Sequence, residues 1–65
     1  MHIELNGRLV QTATNTLAAL LVEQGMDGGM FATAMDGYFV PRSQREATAL
    51  RDGAKVEVLA PMQGG

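Results

Sequence analysis

The chain has 65 residues and no cysteine, which limits it to one small domain and excludes disulfides, cysteine-ligated zinc and a deep catalytic cleft. Hydrophobic residues make up 46% and charged residues 18%, the balance of a packed globular domain and not of a disordered segment. Five Lys and Arg against seven Asp and Glu give a net charge of -2, so no phosphate-tracking surface is expected and nucleic acid is not an expected partner.

The first six residues, Met1 to Asn6, lack a cationic stretch followed by an apolar run, and no apolar run approaches the roughly 20 residues of a membrane span. A cytoplasmic protein without membrane contact is expected. Ile3 and Leu5 alternate with His2 and Glu4, Asn6-Gly7 interrupts, and Leu9 and Val10 follow. Asn-Gly favours two-residue hairpin loops, whose type I′ turn needs positive φ at both central positions. Two antiparallel strands are predicted, about Met1 to Asn6 and Gly7 to Thr12.

Thr16 precedes an apolar run in which Leu17, Leu20 and Leu21 fall on one helical stripe, so Thr16 is the predicted N-cap of a helix over 17–24. Gly25 follows as a left-handed cap. Met26-Asp27-Gly28-Gly29 reads as a loop, and Met30 to Met35 as a strand. Either Phe31, Thr33 and Met35 or Ala32 and Ala34 face the helix, and side-chain size alone does not decide between them. Asp36-Gly37 is a second hairpin signal, and Tyr38-Phe39-Val40 a short strand ended by Pro41. Tyr38 and Phe39 project to opposite faces, so one is expected in an exposed docking patch and the other in the core.

Arg42 to Ala49 is polar and without clean periodicity, which predicts an irregular connection with at most a short helical turn, anchored by Leu50. Asp52-Gly53 makes a third turn, and Lys55 to Leu59 alternates strictly as a half-buried strand with its valines inward. The order strand, strand, helix, strand, strand, loop, strand describes a two-layer α+β domain, one helix across a single mixed sheet of about five strands, with no second helix for the other face.

Nothing here resembles a catalytic constellation. His2 has no second histidine or cysteine for a metal site and reads as an exposed strand residue. Ser43 lacks the strand-turn-helix setting of a nucleophile elbow, and the carboxylates are scattered over turns and solvated faces. Gly28-Gly29 follows a helix instead of opening one and makes no phosphate cradle.

The segment after the last strand is different. Ala60-Pro61-Met62-Gln63-Gly64-Gly65 contains a proline that ends strand pairing and two glycines that pack nothing. Without a Cβ, Gly64 and Gly65 can thread a narrow channel and bring the Gly65 carboxylate to another protein's active site. A carboxylate is a poor acylating agent because oxide is a poor leaving group. Conversion to an acyl-adenylate supplies a good one, and attack by sulfur then leaves a thiocarboxylate. Fraying of a terminus would use the same residues to no purpose.

Across its whole length the chain resembles the ThiS-type sulfur carriers of thiamine biosynthesis, within the ubiquitin-like superfamily. The resemblance is carried by Leu5-Asn6-Gly7, by Thr16-Leu17 with Leu20-Leu21, and by Val40-Pro41-Arg42-Ser43. It continues through Leu50, Asp52-Gly53 and Val56-Glu57-Val58 to Pro61-Met62-Gln63-Gly64-Gly65. Arg45 departs from it, standing where the family often has a bulky aromatic, and so does Ala54, where an acidic residue is common.

The resemblance implies a β-grasp domain over 1–59 with first and last strands side by side, and a flexible tail over 60–65. It implies a protein co-substrate and not an enzyme. Gly65 would be adenylated and converted to the thiocarboxylate, with Gly64, Gln63 and Met62 threading into partner sites. Arg42, Arg45 and Phe39 are candidate partner contacts; solvation alone would equally account for the two arginines, and Met62 could instead fold back onto the sheet. The implied partners are an E1-like, ThiF-type adenylyltransferase, a ThiG-type thiazole synthase and, indirectly, a cysteine desulfurase. ATP belongs to the activating partner, the chain itself holds no cofactor or metal, and it is monomeric when free. A carrier for molybdopterin synthesis shares the tail and its activation, and a ubiquitin-like interaction module with an inert tail is the reading from a different class.

Overall fold

The computed structural model describes residues 1–27 and 30–60. Strands β1 (His2–Leu5) and β2 (Arg8–Gln11) pair antiparallel with Ile3 opposite Val10 and Leu5 opposite Arg8. Their two-residue loop has the expected positive φ, 49° at Asn6 and 82° at Gly7, which matches the twist of the flanking strands. The same device joins β3 (Ala32–Met35) to β4 (Tyr38–Val40), with φ of 52° at Asp36 and 85° at Gly37.

Between the hairpins lies α1 (Leu17–Glu23), capped by Thr16, whose hydroxyl accepts from the Ala19 N–H at 3.2 Å. Gln24 is the C-cap and Gly25 takes the left-handed conformation at φ 72°. At seven residues this helix is too short to be stable alone, so packing of Leu17, Leu20 and Leu21 must hold it.

The last strand, β5 (Lys55–Leu59), enters the middle of the sheet, whose order is β2-β1-β5-β3-β4. It runs parallel to β1 and antiparallel to β3. Ile3, Leu5, Val40, Val56 and Val58 project from one face to meet the three helix leucines, with Leu50 and Ala54 completing the core. Burial of each such aliphatic side chain contributes about 1.5–3 kcal/mol, an upper estimate given residual compactness of the unfolded chain.

The structure decides the face of β3. Thr33 is 1% exposed, Phe31 and Met35 pack on the core, and Ala32 and Ala34 lie opposite. The buried Thr33 hydroxyl is satisfied by donating to the Val40 carbonyl at 2.8 Å, which is what permits a polar residue there.

Three expectations are corrected. β3 begins at Ala32 and not Met30. The connection after β4 is a six-residue 3₁₀ helix, Arg42–Ala47, longer than a single turn. Pro41, at φ -65°, presets its start, and it buries no residue of its own, so no apolar periodicity marks it. Finally, Tyr38 and Phe39 are both exposed, at 76% and 69%. β4 is a three-residue edge strand, and only Val40 lies far enough along it to reach the helix. The 60–65 segment falls outside the described residues except for Ala60, as do Gly28 and Gly29.

Candidate functional site

The core arrangement leaves one face of the sheet without a covering element among the described residues. On this face Ala34 lies between Phe39 on β4 and Glu57 on β5, and Ala32 lies opposite Leu59. Phe39 and Leu59 are 69% and 63% exposed. The two alanines are too small to hide them, so the pair stands over a shallow apolar floor at the end of β5. Toward β1 the face turns polar, with Glu57 and with Lys55 and Glu4 in loose contact at 4.0 Å, a solvated ion pair of little energetic weight.

The exit of β5 is fixed from both sides. Toward β3 the ladder continues to Leu59, opposite Ala32. Toward β1 the chain turns away at Asn6, whose N–H donates to the Val56 carbonyl at 2.9 Å. The Asn6 side chain then accepts from the Val58 N–H at 2.8 Å and donates through Nδ2 to the Val58 carbonyl at 3.2 Å.

Beside this exit, Met30, Phe31, Arg42, Leu59 and Ala60 border a groove of about 380 Å³. Arg42 is exposed and belongs to none of the ion pairs among the described residues. Arg45 behaves otherwise. Its Nε donates to Thr33 Oγ1 at 3.0 Å and its terminal nitrogen donates to the Phe31 carbonyl. It is therefore a clamp between the 3₁₀ helix and β3, half-buried, and not a solvated loop charge. A second groove, about 600 Å³, separates α1 from the 3₁₀ helix, with Ala18, Ala19, Val22, Arg42 and Glu46 along it.

Of the predicted contacts, Phe39 stands exposed on the open face beside Ala34, while Arg42 and Arg45 line the groove beside Leu59 and Ala60, Arg45 tied down by its bonds to Thr33 and Phe31. Met62, Gln63, Gly64 and Gly65 lie outside the described residues. His2 and Ser43 are exposed, and no group of three or more potential metal ligands occurs among the described residues. No helix among them is long and apolar enough to cross a membrane. Sequence reasoning missed Leu59, although it is the outward residue of an alternating strand, and it read Asn6 only as a turn former. Arg45 carried no local signal, because its acceptors lie in β3 and just before it, twelve and fourteen residues away.

Among the described residues, one α-helix across a five-stranded sheet in which the first and last strands run parallel at the centre defines a β-grasp, ubiquitin-like protein, with an open face beside the exit of the last strand. The ThiS family model matches residues 3–65, and the chain belongs to that family. Among solved structures it is similar to the crystal structure of thiamine biosynthesis protein ThiS from Geobacter metallireducens, with 25% identity, a TM-score of 0.85 and complete coverage of both chains. It is also similar to an NMR solution structure of a thiamine biosynthesis protein from Geobacter metallireducens, with 28% identity and a TM-score of 0.77, over 100% of this chain and 88% of that one. No curated protein matches the chain significantly in sequence.

Proposed function

We propose that this protein is a sulfur carrier of thiamine biosynthesis, a co-substrate whose Gly65 carboxylate is activated and converted to a thiocarboxylate. The observation that carries the reading is the ThiS family match, which runs through the Gly64-Gly65 pair to residue 65. The thiamine biosynthesis proteins it resembles in structure support the same assignment and favour it over the molybdopterin-type carrier and the inert module.

In the proposed cycle a ThiF-type adenylyltransferase supplies ATP, and a carboxylate oxygen of Gly65 attacks the α-phosphorus, releasing pyrophosphate. A sulfur nucleophile at the sulfide level, released when a thiol reductant reduces the persulfide formed by a cysteine desulfurase, then attacks the acyl carbon. AMP departs with that oxygen, leaving the thiocarboxylate, from which a ThiG-type thiazole synthase takes the sulfur. The chain contributes no acid, base or cofactor to these steps.

Its contribution is presentation. The apolar pair Phe39 and Leu59 supplies a docking face beside the strand exit, with Arg42 at its margin for an acidic partner group. The glycines supply a segment slender enough for a closed active site, and Met62 and Gln63 line the approach. The open face presents aromatic and aliphatic anchors on a rigid sheet, the kind of surface that concentrates binding energy in few residues. A cytoplasmic, monomeric carrier fits this role.

The test is reconstitution with adenylyltransferase, ATP, a sulfur donor and thiazole synthase. Thiazole should form in proportion to carrier supplied, and deletion of Gly64 and Gly65 should abolish it while the circular dichroism spectrum stays unchanged. Equal thiazole yield from the deleted chain would overturn the assignment.

A further inference from the structure

We infer that Asn6 is a positioning residue for the reaction at Gly65, its carboxamide standing in for a strand residue that β1 does not provide at the end of β5. This role rests on the sulfur-carrier reading. β1 and β5 pair in parallel only as far as Leu5 and Val56, because the hairpin turn carries the chain away at Asn6. Val58 would then have a backbone donor and acceptor facing empty edge. The Asn6 side chain meets both, accepting at 2.8 Å and donating at 3.2 Å. A primary carboxamide has the same donor and acceptor as a peptide group, so the ladder is extended by one step without a strand.

The positive φ of 49° at Asn6 makes this an unusual coincidence of demands. Glycine would satisfy the turn equally well but has no side chain to reach Val58. Aspartate tolerates the conformation but, ionised, only accepts. Of the residues suited to the turn, asparagine alone meets the turn and the two-bond lock together.

Val58 lies two residues before Ala60, and Pro61 to Gly65 follow. Five residues reach at most about 17 Å when extended, so the direction in which Ala60 leaves the sheet limits where the Gly65 carboxylate can reach relative to the docking face, while Leu59 keeps its ladder pairing with Ala32. A misplacement of about 1 Å at a reacting centre can cost about a hundredfold in rate. The docking face, carried by β3, β4 and the outward residues of β5, does not depend on the Asn6 amide.

The test uses the full-length chain carrying Asn6→Gly, which keeps the turn and removes both bonds, with Thr16→Ala as a control that lowers stability away from the β5 exit. Amide hydrogen exchange is followed at Val58, and pyrophosphate release is measured with a ThiF-type adenylyltransferase and ATP. Asn6→Gly should lose Val58 protection and lower kcat by about tenfold to a hundredfold with KM little changed, while Thr16→Ala leaves kcat as it was.

Unchanged Val58 exchange, or an unchanged kcat with wild-type chain turning over, would overturn the role of Asn6 and leave the carrier reading standing. An equal fall in kcat for Thr16→Ala would also overturn it, by making stability and not position the cause. If the wild-type chain itself gave no pyrophosphate with a demonstrably active adenylyltransferase, the carrier reading would fail and this role with it.

Discussion

Arg45→Ala should unfold this domain more readily. The substitution removes the donor from Nε to Thr33 Oγ1 and the donor to the Phe31 carbonyl. Thr33 keeps its own bond to Val40, so the main loss is a pair of charge-assisted bonds and the carbonyl left behind. Bonds to charged groups contribute about 1.5–3 kcal/mol each, and partial exposure of Arg45 lets water replace part of that. A net loss of about 2 kcal/mol follows, large against the roughly 3–5 kcal/mol that a core of this size supplies. With an unfolding entropy near 2.1 cal/mol/K per residue, the expected fall in Tm is about 15 °C. Arg45→Lys should fall between, since a single ammonium does not reproduce the fixed fork that reaches two acceptors. Thermal unfolding by circular dichroism measures both. An Arg45→Ala chain with unchanged Tm but weakened adenylyltransferase binding would refute the clamp and return Arg45 to the partner interface.

Phe39→Asp, placed on the open face at 69% exposure, should leave stability within about 0.5 kcal/mol and raise the KM for adenylyltransferase at least severalfold, read from pyrophosphate release. Thr16→Ala removes the bond to the Ala19 N–H and should cost about 1 kcal/mol in urea unfolding, with no change in activation once folded. Leu20→Ala, at a fully buried position, should cost about 2–5 kcal/mol and leave the chain largely unfolded at 25 °C, read as collapse of the amide-proton dispersion in the NMR spectrum.

The fold was legible where local chemistry and tertiary structure agree. Asn6-Gly7 and Asp36-Gly37 named their hairpins because few other pairs accept positive φ twice, and Thr16 named its helix because a hydroxyl there meets a free N–H. The valines of β5 alternate because one face of the sheet is buried and the other is not. Illegible features were those decided by partners distant in sequence. Arg45 is a clamp only because β3 passes beneath it. Phe39 and Tyr38 are both exposed because β4 lies at the sheet edge, which alternation within one strand does not reveal. The 3₁₀ helix is held at its ends and by Arg45, with no buried stripe to advertise it. Asn6 looked like a turn residue and nothing more, since its second use needs Val58, 52 residues on.

The central claim is that Gly65 carries sulfur. Intact mass spectrometry of the protein after incubation with ATP, a ThiF-type adenylyltransferase and a sulfur donor tests it most directly, beside a variant lacking Gly65. The account predicts a mass increase equal to the exchange of one oxygen for one sulfur, present in the full chain and missing from the variant. An unchanged mass with an adenylyltransferase shown to be active on another carrier, or the same increase in the chain without Gly65, would contradict it.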